Sequence, residues 1–377
     1  MNILFVGNCT PYFSSGIVRA KRFFPSLSEA GISYDWLEIN AAAVQRWLER
    51  LDRSIFGKQK ITDLIFRSLI HGLGLPYYWV QVLRILRQQS RYDVIFFQSV
   101  LLPPRAMRYL AKQNSKIIFD YDDALYVKHE SKTRGMIQYA WKVFAGSHAL
   151  YDFAKAINPS TILLPSSIPV EKYSVEAIQE PHSPLRIGWI GGPSTLNQLE
   201  IVVDPLKNML ASGIDFELLI AGSKNQPIPL SKIEKLHILE IPEYSDDDIP
   251  EIVKKMDIGI MPLFDTPAEQ GKCAMKMLIY MAGELPVVAS PVGESFYIVR
   301  EGQNGFLAET AAEWEAKLSR LIGDADLRKK IGKAGKQTVT ERYSQDIIFR
   351  KMISEIFPDE PIKNEPHSDL MGTNNEI

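Results

Sequence analysis

Lys272 and Lys276 stand four residues apart in the stretch "EQGKCAMKMLIYMAGELPVVAS", which runs from Glu269 to Ser290. On a helix that spacing places two side chains on one face. A helix opening near Gly271 would aim unpaired backbone N–H groups and the positive end of its dipole at an anion. Lys272 would add a full charge beside them, and the combination suits a diphosphate. The ordinary alternative is a solvated lysine face. Ile279 falls on the same face, seven residues beyond Lys272, and is apolar.

Three further segments carry residue types that do chemistry. "IGWIGGPST" (Ile187–Thr195) ends a hydrophobic run in Gly191 and Gly192 and then offers Ser194 and Thr195. Paired glycines allow close ligand approach, and either hydroxyl can cap a following helix. "GNCTPYFSSGIVRAKR" places Gly16 after two serines at the start of a helical pattern, which suits contact with a ligand or a plain connection. "FDYDDALY" gathers Asp120, Asp122 and Asp123 at the end of an apolar run. Such carboxylates serve as acid and base, cap a helix or bind a cation. No GxGxxG or Walker sequence occurs, and the six histidines are scattered without ligand spacing, so no metal is expected.

These segments need elements to position them. "NILFVG", "YDWLEI", "YDVIFFQ", "KIIFDY", "KVFAGS" and "STILLP" read as short buried strands with helical segments between most of them. "GIVRAKRFFPSLSEAG" reads as helical with an interruption at Pro25. After a polar break the alternation restarts with "LRIGWIG", a helix from about Thr195, "FELLIAG", "HILEIP", the helix "DDIPEIVKKM", "DIGIMPL" and "LPVVAS". The expectation is two α/β domains, 1–173 and 185–343, joined by a linker at 174–184. A helix at 344–357 would cross back to the first domain, and a polar tail at 358–377 would be disordered. In open parallel sheets, ligands bind beyond the carboxyl ends of the strands.

The 377-residue chain carries a net charge of −2, but the charge is uneven. Residues 1–170 carry a net +9 and the remainder a net −11. Arg46, Arg50 and Arg53 lie in a basic, aromatic-rich region that could rest on an anionic membrane surface or simply be a solvated helical face. The two cysteines, Cys9 and Cys273, lie far apart, which fits a reducing cytoplasm better than a disulfide framework. "MNILFVGNCT" reads as a first strand, not a secretion signal. No long uncharged apolar run suggests a membrane span. Nothing points to nucleic acid.

The segment from "DIGIMPLFDTPAEQGKCAMKMLIYMAGELPVVASPVGESFYIVREGQNGFLA" to "ERYS" resembles the C-terminal half of GT-B retaining glycosyltransferases of the large family-four group, in a bacterial branch. "IGWIGGPST" and "FDYDD" extend the resemblance more weakly. It implies two Rossmann-like domains, a nucleotide-sugar donor held by the second and a glycan or lipid-linked acceptor at the first. It implies that Lys272 contacts the donor diphosphate, that Glu269 and Gly271 belong to the loop meeting the donor sugar, and that Cys273 and Lys276 lie in the same site. Asp122 falls where many relatives have a histidine near the reacting sugar, and Tyr244 where an aromatic lies close to the base. No metal cofactor is implied. Three positions depart from the pattern: Ile279 replaces a ribose-binding Glu, Glu284 a glycine, and Ser295 an asparagine. A retaining glycosyltransferase of surface polysaccharide synthesis is therefore expected. The alternatives are a non-catalytic GT-B relative that binds glycan or supports a partner, and a GT-B epimerase.

Overall fold

The computed structural model describes residues 1–8, 15–39, 63–173 and 182–358. Arg46, Arg50, Arg53 and Cys9, with nearly all of the expected linker and tail, lie outside the described residues.

Short runs of apolar and β-branched residues, the central ones buried on both faces, build parallel strands that need helical cover. Six of them, β1 (Asn2–Gly7), β2 (Ser33–Glu38), β3 (Val94–Gln98), β4 (Ile117–Tyr121), β5 (Lys142–Ala145) and β6 (Thr161–Leu163), pair all in parallel in the order β2-β1-β3-β4-β5-β6. The second sheet contains β7 (Leu185–Ile190), β8 (Phe216–Ala221), β9 (His237–Ile241), β10 (Ile258–Met261), β11 (Val287–Ala289) and β12 (Phe306–Leu307). Its order is β12-β11-β10-β7-β8-β9, again all parallel. Each sheet reverses its winding direction once, between β1 and β3 and between β7 and β10. A crevice opens at the carboxyl ends of such strand pairs.

The strand expectations hold, whereas several helical ones change. The segment around Pro25 is three pieces: a helix Ser15–Arg19, a 3-10 turn Lys21–Phe23 and a helix Phe24–Glu29. Pro25 sits in the first turn of the last piece, where its missing N–H breaks no bond. The helix from Thr195 is a 3-10 segment, Pro193–Val202, that runs into the helix Val203–Ala211.

The larger correction concerns Gly271. The helix Pro267–Gln270 ends there, and the next helix is Met275–Ala282. Ala274 breaks the path between them with φ 50°. Lys272 therefore lies on a connecting turn, and only Lys276 is on the helix. Pattern alone does not reveal the left-handed residue, because alanine rarely adopts that conformation.

The C-terminal helix Gln345–Ile356 leaves the second sheet and packs on the first. Its Ile348, Phe349, Met352, Ile353 and Ile356 join Ile3, Phe5, Phe23 and Val94 in one buried cluster. Lys142 Nζ bonds Glu355 at 2.7 Å and fixes the far end of the helix.

Candidate donor cleft

A cavity of about 550 Å³ lies between the two sheets, at the carboxyl ends of their strands. That volume is within the usual range for small-molecule sites. The second sheet supplies Ile190 and Gly191 at the end of β7, Gly222 after β8, Pro242 to Tyr244 after β9, and Met261 and Leu263 at the end of β10. The first contributes Val18, Asp122, Asp123 and Ser166. The turn and helix at 272–279 form the floor.

Lys276 points its ammonium at the ring of Trp189, 4.2 Å from the centroid, and donates to Thr195 Oγ1 at 3.4 Å. Gly191 makes this possible: a Cβ there would meet the Trp189 ring at 2.3 Å and Lys276 Nζ at 2.9 Å. Burial and the neighbouring Lys272 lower the Lys276 pKa to about 7. Lys272 Nζ lies 3.9 Å from Asp123. Asp122 accepts from Ser99 Oγ at 2.9 Å, which fixes its carboxylate at the cleft wall.

Asp120, two positions before Asp122, has a different role. It is fully buried and ion-paired with the buried Arg19, which also donates to the Leu164 carbonyl at 2.9 Å. Burial pushes its carboxyl up to about 6 against the pull of Arg19. The three aspartates thus separate into one structural pair and two cleft groups. Among the described residues, no group of three or more His, Cys, Asp or Glu side chains is placed to hold a metal.

Gly191, Gly192, Ser194, Thr195, Tyr244, Lys272, Cys273, Lys276, Ile279 and Asp122 all line the cleft. Tyr244 donates to the Gly191 carbonyl at 3.1 Å, which ties the β9 loop to the β7 loop. Thr195 does not present a free hydroxyl, because it bonds Gly192 O at 3.0 Å and accepts from Lys276. The buried Cys273 thiol donates to the Asp122 carbonyl at 3.3 Å, and burial pushes its pKa well up, so it is no nucleophile.

Three expected residues are not among those lining the cleft. Gly16 is buried against the Asn8 carbonyl, which a Cβ would approach to 2.2 Å, so packing requires it. The Glu269 carboxylate is taken by Thr266 Oγ1 and by Gln198 Nε2. Gly271 is buried where the domains touch, with its carbonyl accepting from Ser147 Oγ at 3.0 Å. The Gln198–Glu269 and Ser147–Gly271 contacts join residues 71 and 124 positions apart, which no local pattern reveals.

Ile279 is buried with Ile190, Met261 and Leu263 in one apolar wall. Neither Glu284 nor Glu294 compensates: Glu284 faces Lys336 at 2.9 Å, and buried Glu294 accepts from the His148 backbone at 2.9 Å. Glu243, which no motif in the sequence singles out, is the carboxylate on the β9 side of the cleft. Its position one residue before Tyr244 was the available signal.

Residues 184–324 match the family described as glycosyl transferases group 1. A curated relative, the capsular polysaccharide biosynthesis glycosyltransferase CapM of Staphylococcus aureus, is 23% identical over 176 residues. That match spans 45% of this chain and 44% of the relative, so less than half of its length. A glycosyltransferase from Rickettsia africae superposes with a TM-score of 0.66 at 17% identity, over 95% of this chain and 99% of the other. HepE of Anabaena in complex with UDP-glucose gives 0.65 at 15% identity, over 94% and 98%. The lipopolysaccharide outer core galactosyltransferase WaaB gives 0.64 at 15%, over 96% and 100%. With two parallel six-stranded sheets facing across a cleft, the chain has the GT-B fold, and its segment 184–324 matches the group 1 glycosyl transferases.

Proposed function

We propose that the chain is a retaining glycosyltransferase that moves a hexose from a nucleoside-diphosphate sugar to a glycan or lipid-linked acceptor in surface polysaccharide synthesis. The observation that carries this reading is Lys272 and Lys276 at the floor of a cleft whose opposite wall holds Asp122. As the glycosidic bond breaks, negative charge grows on the leaving diphosphate. Lys272, and Lys276 in its protonated form, stabilise that charge without a metal, the usual role of cations in such transfers. The acceptor hydroxyl attacks from the face the diphosphate leaves, and a donor phosphate oxygen takes its proton. Asp122, held by Ser99, orients the sugar. Tyr244 and Ile190 bound the space for the base, and Glu243 is the acceptor available to ribose hydroxyls in place of Ile279. The UDP-glucose bound by HepE and the capsular role of CapM support a UDP-hexose donor and a surface glycan.

The test is transfer and hydrolysis across a panel of UDP-, GDP- and dTDP-sugars. With the preferred donor, Lys272→Ala lowers kcat/KM by roughly 10²–10³-fold; full activity in that variant would remove Lys272 from the mechanism. Ile279 favours one other reading, a non-catalytic relative whose donor site has lapsed. Calorimetry that finds no binding of UDP, GDP or dTDP selects that reading.

A peripheral membrane contact is proposed on the helix that precedes β3. On the helix Asp63–Gln88, Trp79, Val80 and Leu83 are 44%, 58% and 50% exposed beside Arg84, Arg87 and Arg91. Exposed apolar groups flanked by arginines suit the inner surface of an anionic bilayer, where a lipid-linked acceptor would be met. Among the described residues, no helix is long and apolar enough to cross a membrane.

A further inference from the structure

We infer that Lys276 takes up a proton when a nucleoside diphosphate enters the cleft, so that the site gains positive charge as its anion arrives. The inference rests on the donor-cleft reading above and concerns its regulation.

The geometry carries it. Among the described residues Lys276 has no carboxylate within ion-pair distance; its contacts are the Trp189 ring and the Thr195 hydroxyl. Gly191 leaves room for this arrangement by carrying no side chain. An ammonium here is stripped of much of its water and offered only a ring face and one hydroxyl oxygen. Such an environment disfavours the charged form.

The charged and titratable groups around it do not reverse this. Lys272, on the preceding turn, adds a like charge. Tyr280, one turn further along the helix, spends its hydroxyl on the Ile190 N–H at 2.8 Å. From the β9 loop, Tyr244 donates to Gly191 O, and Lys224 and Glu243 line the same cavity. Across the cleft, Asp123 lies beside Lys272, and Asp122 is held by Ser99. The free-state pKa of Lys276 is accordingly near 7, well below the usual lysine range. A diphosphate supplies the missing counter-charge and raises it again. The sign follows from linkage: below about pH 7 the lysine is already charged and binding takes up little; above it, binding takes up a proton and affinity falls as pH rises.

The experiment is calorimetry of UDP, GDP and dTDP with the full chain at pH 8, in buffers of different ionisation enthalpy. At that pH the terminal phosphate, with a second pKa of roughly 6, is already ionised. The expected result is an uptake of roughly half a proton or more per nucleotide bound. In Lys276→Arg, where guanidinium stays charged throughout, binding persists while the uptake disappears. Lys276→Met loses roughly 10-fold or more in affinity at pH 6.5. Binding to the unmodified protein without proton uptake overturns the inference and leaves the donor reading intact. The same holds if the uptake is unchanged in Lys276→Arg. Failure of all three nucleotides to bind overturns both. The first measurement needs no variant, so a misfolded substitution does not shield the proposal.

Discussion

Glu243 and Lys276 show how much of this site is decided one residue at a time. Ile279 cannot accept a hydrogen bond, and Glu284 and Glu294 are committed elsewhere. Glu243 is then the carboxylate left for ribose on the β9 side. Glu243→Gln should weaken UDP binding about 10-fold, with less loss for dTDP, which lacks the 2′-hydroxyl; calorimetry with both checks this. Lys276 also shapes stability. Its pKa is lowered from 10.5 to about 7, so the unfolded chain holds more protons between those values. Folding stability should therefore rise as pH climbs from about 7 toward 10.5, and Lys276→Met should flatten that slope. Urea unfolding at pH 6.5 and pH 9 reads both. Neither property was legible from the lysine spacing, which suggested only a shared helical face.

At the scale of elements, the turn Gly271–Ala274 matters more than the helix expected in its place. Ala274 adopts φ 50°, so the chain leaves one helix, exposes Lys272 on a turn and starts another at Met275. The sequence shows the lysines but not this break, since the left-handed residue is Ala274 and not a glycine. The C-terminal helix was readable, because "QDIIFRKMISEIF" has the apolar spacing of a one-sided helix. Its partner was not. Met352 is fully buried against the first sheet's cluster, so Met352→Ala should cost about 2–5 kcal/mol. Denaturant unfolding followed by a first-domain signal such as Trp36 or Trp141 would show the loss there.

At the scale of the whole molecule, a few contacts hold the two sheets' domains together. Arg22 bonds both oxygens of Asp246 at 2.6 and 2.9 Å, Ser147 reaches the Gly271 carbonyl, and His148 stacks on Tyr297 with centroids 3.5 Å apart. Asp246→Ala removes this ion pair without touching the cleft lining. It should let the domains open, which small-angle scattering would read as a larger radius of gyration, and raise the donor KM. An unchanged scattering curve would assign closure to the other contacts. Replacing Trp79 and Leu83 together by Ser should abolish flotation with anionic vesicles while leaving UDP binding unchanged. Retained flotation would move the membrane contact elsewhere.

The sequence by itself determined the two parallel sheets, because runs such as "YDVIFFQ" and "FELLIAG" are apolar on both faces and can be buried in few other ways. It also brought Lys272 and Lys276 to the cleft, through a long and ordered motif. Only the tertiary structure decided which residues meet. Arg19 and Asp120 lie 101 positions apart and form a buried pair, which removes one of three adjacent aspartates from the cleft. Gly191 and Lys276 come together because β7 and the helix Met275–Ala282 converge at one switch point. Local periodicity records which face of an element is buried. It carries no information about what the other side of the contact will be.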